Sequence, residues 1–88
     1  MIHPDVIETL TAYWRTGRRT GDFMRAVLAN DLFGAFGRAD RENRATLGDI
    51  VAWIWERLPA KSYGSYEAVD MWIEQRGLEG EGGAHAQE

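Results

Sequence analysis

Apolar residues recur at three- and four-residue steps along most of this chain, the spacing of one helical face. Val6, Ile7, Leu10, Tyr13 and Trp14 form the first stripe. Pro4 suits a first helical position and Gly17 suits the residue just past the end, so the first helix is expected over about 4–16. GRRTG is then a turn. Thr20 or Asp22 is the expected cap of a second helix carrying Phe23, Met24, Val27 and Leu28.

Asn30-Asp31 reads as a sharp junction, because Asn tolerates the left-handed conformation that closes a helix and Asp caps a new one. A short third helix presents Leu32, Phe33 and Phe36, with Gly34 and Gly37 weakening it but permitting close approach. Asp40 is the expected cap of the longest helix, about Arg41 to Leu58, in which Leu47, Ile50, Val51, Ile54, Trp55 and Leu58 share one face. Pro59 stops it. After a loop, Ser65 caps a last helix whose apolar face is Val69, Trp72 and Ile73, and Gly77 with Leu78 fits its ending. The pattern predicts an all-α fold, a compact bundle of four to five helices around one long central helix. Residues 1–78 are expected to form the single domain, and 79–88 a disordered acidic, Gly-rich tail.

At 88 residues a single core is only just sufficient, and with no cysteine it has no disulfide to support it. Four Trp, three Tyr and three Phe must supply much of the burial. No apolar run approaches the roughly 18 residues of a membrane span. The first ten residues lack the basic flank and apolar core of a signal peptide, so a cytoplasmic protein is expected. The net charge of −4 is unevenly spread. Arg15 to Arg44 holds seven basic and four acidic residues, and Ala45 onward three basic and eight acidic. Such polarity can orient a partner, although an ordinary solvated surface has the same pattern.

Chemistry is poorly represented. His3 and His85 sit near opposite ends, with no metal-ligand spacing. Ser62 and Ser65 have turn and cap roles, and neither has a base predicted beside it. Glu67, Asp70 and Glu74 share a solvated helix side. Gly34 to Gly37 lacks the lysine and spacing of a phosphate loop. The expectation is a non-enzyme without cofactor or metal.

Two surfaces are candidates for partner binding. Trp53 points well over a quarter-turn from the core face, toward Arg57. It is either covered by another helix or an exposed anchor of the Trp–Arg kind, which Tyr63 and Tyr66 would extend. Asn30, Asp31, Arg38, Asp40 and Asn43 form the second cluster, whose local alternative is capping, with Arg38 bridging Asp31 or Asp40. A helix-turn-helix reading of Asn30-Asp31 puts LFGAFGRA in the recognition position, which is too apolar to read bases. Arg38, Arg41 and Arg44 keep phosphate contact as an alternative.

Between about Gly21 and Ile73 the chain resembles a group of uncharacterised small proteins of bacteriophages, prophages and plasmids. The resemblance rests on GDFMRAVLANDLFGAFGRAD, Asn43, IVAWIW and YGSYEAVDMWI, against the pattern G-x-F-L-x-A-V-L-x-N-D-L, A-x-x-R-A-D, an asparagine, I-V, a helix-ending proline, G-S-x-E-x-V and W-I. Met24 stands where leucine is usual and Tyr66 where proline is frequent. The resemblance implies a small accessory protein of a mobile element, acting in a bacterial host cell by binding a host or phage protein. Inhibition of a host defence complex is one role it suggests. Nucleic-acid regulation and virion assembly by homo-oligomers are the alternatives.

Overall fold

Local capping chemistry decides where each helix starts and stops. A computed structural model describes the backbone of residues 1–86 and the side chains of residues 1–81. Helix α1 spans Pro4–Thr16; the His3 imidazole accepts from the Asp5 amide at its start, and Gly17 closes it with φ +72°. α2 spans Asp22–Leu28 and starts at Gly21 without a side-chain cap; the Thr20 hydroxyl donates instead to the Gly21 carbonyl. Asn30 adopts φ +62°, and the Asn30 and Asp31 amides donate back to Val27 and Ala26. This is the paired ending that left-handed residues permit. The Asp31 carboxylate then caps α3, Leu32–Arg38, through the Gly34 amide at 2.9 Å. Asp40 caps α4, Arg41–Ala45, through Asn43 at 2.8 Å.

The expected long central helix is two helices. α4 stops at Ala45 and α5 spans Leu47–Arg57. Thr46 lies between them with φ −108°, and its hydroxyl donates to the Glu42 carbonyl at 3.0 Å. Threonine bonding back to the residue four earlier bends helices by competing at that carbonyl. Periodicity ignores this choice, so the apolar spacing ran through a real break. α1, at thirteen residues, is the longest helix.

A 3₁₀ turn, Ala60–Ser62, follows Pro59. The Gly64 amide donates to the Leu28 carbonyl at 2.7 Å, tying this loop to the end of α2. Ser65 caps α6, Tyr66–Glu74, as its position predicted. Arg76 and Gly77 then take φ +66° and +62° in succession, and α7 spans Gly77–Ala86. The segment expected to be a disordered tail from residue 79 is therefore helical through Ala86; residues 87 and 88 lie outside the described residues. Composition suggested otherwise, but the double left-handed turn lays the start of α7 against the end of α1, at Gly17. Lys61 also pairs with Glu81.

The core gathers Leu10 and Tyr13 from α1, Met24 and Leu28 from α2, Ile50 and Ile54 from α5, and Val69 and Trp72 from α6. Two polar groups inside it are matched. The Tyr13 hydroxyl donates to the Ser62 carbonyl at 2.6 Å, and burial pushes that phenol's pKa well up. The Trp72 indole donates to the Tyr13 carbonyl at 3.0 Å. That carbonyl also accepts the Gly17 amide, so both its lone pairs are used.

Candidate protein-docking surface

Helix α3 is too short to hide what it carries. Seven residues give it a single buried position, Ala35, followed by Ala39 just past its end. At about 100° per residue, Leu32, Phe36 and Phe33 fan out over the adjoining arc. They remain 62%, 49% and 89% exposed. Burying all three would need a helix packed on that arc, and none of the described residues supplies one.

Helix α5 leaves a second stripe. Ile50, Ile54 and, just beyond the helix, Leu58 turn inward, while Val51 and Trp55, one turn apart, remain 49% and 74% exposed. A hollow of about 290 Å³ separates this stripe from the end of α2, with Val27 and Asn30 on one wall, Val51 and Trp55 on the other, and Tyr63 also lining it. Leu32 lies two residues past Asn30, hence within about 7 Å along the chain. At the far end of α3, the Arg44 side chain donates to the Phe36 carbonyl at 3.2 Å and lies 4.3 Å from the Phe36 ring centre. The α5 stripe thus borders the hollow at the end of α2, while the α3 stripe starts just beyond Asn30 on the next helix.

A polar network holds α3 in place. The Tyr66 hydroxyl donates to Asp31 at 2.6 Å, joining α6 to α3. The Arg25 guanidinium lies 5.0 Å from the Tyr66 ring centre and pairs with Asp70 at 2.7 and 3.3 Å, joining α2 to α6. The hydrogen bond from Tyr66, then that from the Gly34 amide, hold the Asp31 carboxyl below its usual range. The Arg25 bond does the same for Asp70. Depressed carboxyl values mean stability that is present above the unfolded value and lost as pH falls through the folded ones. Stability should therefore decline as pH falls below about 4. Tyr66→Phe should be less stable than wild type at neutral pH, and the gap should shrink below that point as Asp31 protonates. Urea melts across pH read this directly; a gap independent of pH would contradict the role given to Asp31.

The residues singled out in the sequence separate into three places. Asp31, Asp40 and Tyr66 work within the fold as caps and as the α3–α6 tie. Asn43 supplies the capped amide. Arg38 bridges neither Asp31 nor Asp40; its guanidinium donates to the Gly34 carbonyl at 3.2 Å. Trp53 is half-buried against the core, with Arg57 4.9 Å from its ring centre and Arg57 also bonded to Glu56. Asn30 and Tyr63 are the two that reach the hollow.

The exposed apolar residues were the ones misplaced. Trp55, placed by periodicity on one face with Ile50 and Ile54, projects outward instead, and Phe33 and Phe36 on the short third helix are exposed as well. A signal existed: six apolar positions on α5 and its flanks, and three large ones on a seven-residue helix, exceed what so short a chain can enclose. Among the described residues, no three His, Asp or Glu side chains converge as a metal site, and no helix is long and apolar enough to cross a membrane. Comparison with family models, with curated proteins and with solved structures finds no match.

Proposed function

We propose that this protein is a binding module that acts by covering a surface of a protein partner, without chemistry of its own. The observation that carries this reading is the apolar surface left exposed on α3 and on α5. Leu32, Phe33 and Phe36 stand in solvent on α3, and Val51 and Trp55 stand in solvent on α5 beside the hollow at the end of α2. Isolated exposed apolar residues are ordinary, but contiguous ones rimmed by polar groups mark interaction sites. Aromatic anchors beside arginines are the usual centres of binding energy, and Arg44 over Phe36 has that composition. The resemblance to small phage and plasmid proteins supports a host or phage protein as the partner, with a host defence complex as one such target.

The test is capture from a bacterial host with tagged wild type, Phe33→Asp and Trp55→Asp. Both side chains make the surface and neither fills the core, so both variants should fold. A stoichiometric protein held by wild type and lost in both variants is the expected result. Recovery of nucleic acid, or of a partner indifferent to both changes, would overturn it.

A further inference from the structure

We propose that the hollow at the end of α2 is a pocket for one tyrosine side chain, the anchor by which the protein partner is recognised. The inference rests on the docking reading above and names the chemistry that the partner must present.

The walls come from three elements, and backbone bonds set them. Val27 and Asn30 stand at the end of α2, Val51, Ile54 and Trp55 on α5, and Tyr63 in the loop before α6. The Gly64 amide donates to the Leu28 carbonyl at 2.7 Å, which holds that loop beside α2. The Asn30 and Asp31 amides donate to the Val27 and Ala26 carbonyls at 3.1 and 2.9 Å, which fix Asn30 in its left-handed conformation. A pocket held this way is formed before its ligand arrives, so binding has little ordering to do.

Size and charge narrow the occupant. The hollow measures about 290 Å³. An apolar cavity of about 150 Å³ is enough to take up benzene, so one substituted ring fits. No charged side chain lines the hollow, so a charged ligand would leave water without meeting a counter-ion. Val27, Val51 and Ile54 supply apolar contact. The Trp55 indole, 74% exposed, is free to stack on a second ring.

Two polar side chains in the lining decide against a bare phenyl ring. The chain's other tyrosines use their hydroxyls within the fold, Tyr13 on the Ser62 carbonyl and Tyr66 on Asp31. Among the described residues the Tyr63 hydroxyl has no such acceptor, and the Asn30 carboxamide has no hydrogen-bond partner either. A phenyl ring would displace their water and offer no bond in exchange. A phenol brings an O–H donor and acceptor lone pairs, and a carboxamide can answer both. Tyrosine therefore joins the neutral ring that suits the walls to the hydroxyl that suits Asn30 and Tyr63.

NMR titration of isotope-labelled protein with N-acetyl-tyrosinamide, and in parallel with N-acetyl-phenylalaninamide, tests this. The Trp55 indole, the Asn30 carboxamide and the Gly64 amide should shift saturably with tyrosinamide at millimolar concentration. Phenylalaninamide should bind about tenfold more weakly, the worth of one net hydrogen bond. Asn30→Gly removes the carboxamide and keeps a residue that accepts φ +62° without strain. Tyr63→Phe removes only a hydroxyl. Each variant should reduce the preference for tyrosinamide, and the double variant should abolish it, with helical circular dichroism unchanged. No saturable shift, shifts that avoid the hollow, equal affinity for the two amides, or a preference that survives both substitutions overturns the proposal. Partner capture is read separately. Tyrosinamide held at the hollow with no protein captured upholds the pocket's choice of ligand and sinks the docking reading. A partner lost in Trp55→Asp while the two amides bind alike sinks the tyrosine pocket and leaves the docking reading standing.

Discussion

Trp72→Ala should cost about 3–5 kcal/mol, while Trp55→Ala on the neighbouring helix should change stability by no more than about 0.5 kcal/mol. The residues are chemically identical and differ only in what surrounds them. Trp72 is 1% exposed and belongs to the same buried cluster as Leu10, Tyr13, Leu28 and Val69, which joins α1, α2 and α6. Its indole N–H also holds the Tyr13 carbonyl at 3.0 Å. Truncation leaves a ring-sized void and removes one of that carbonyl's two partners. Domains have only about 5–15 kcal/mol in total, and one this small sits near the lower end. The variant should be largely unfolded under mild denaturant, in urea melts followed by circular dichroism. Trp55 is 74% exposed, so its loss forfeits little that folding had gained. Equal losses in the two variants would mean that the inside and outside of α5 and α6 are misassigned.

The contrast also marks what the sequence made legible. Local chemistry was readable because it acts over a few residues. Pro4, Gly17, Asn30, Asp31, Asp40 and Ser65 each stand where their caps and turns predicted, and the all-helical character followed from the spacing between them. Periodicity was less decisive on α5. A stripe from Leu47 to Leu58 is wide enough to meet a core and to overflow it, and the pattern alone cannot say where the core ends. Burial shows the division at Ile50 and Ile54 on one side, Val51 and Trp55 on the other. The break at Thr46 was hidden for another reason: a threonine hydroxyl can bond back within a helix with or without interrupting it.

The exposed apolar surface was partly legible for the same physical reason. Its aromatic content stood in the sequence, but the spacing pointed to Trp53, which the fold half-covers and sets beside Arg57. The polar residues Asp31, Asp40 and Tyr66 looked like a surface and proved to be the fastenings that hold α3 and α4 in place. A cluster of caps and an interface have similar composition. Only the partners of each oxygen distinguish them.

Gly77→Ala should be the most damaging change at any of the turns, with a cost of about 2–5 kcal/mol. Gly77 has φ +62° and begins α7 where that helix meets the end of α1. A methyl group there would stand 2.6 Å from the Gly17 amide nitrogen and 2.7 Å from the Trp14 carbonyl oxygen. Both are backbone atoms of the α1 ending, so neither can turn aside as a side chain would. The conformation alone is not the obstacle, because Arg76 holds φ +66° beside it. Gly64→Ala separates the two effects: φ is +116° there but no atom lies within 4 Å of the added carbon, so only backbone strain is introduced. Hydrogen exchange should show α7 amides losing protection in Gly77→Ala before those of α5 do, since the α1–α7 contact is what the methyl separates. Gly17→Ala should reproduce this from the other side, its added carbon falling 2.9 Å from the Gly77 nitrogen. Unchanged exchange in α7 in both variants would show that the two glycines do not fasten the last helix to the first.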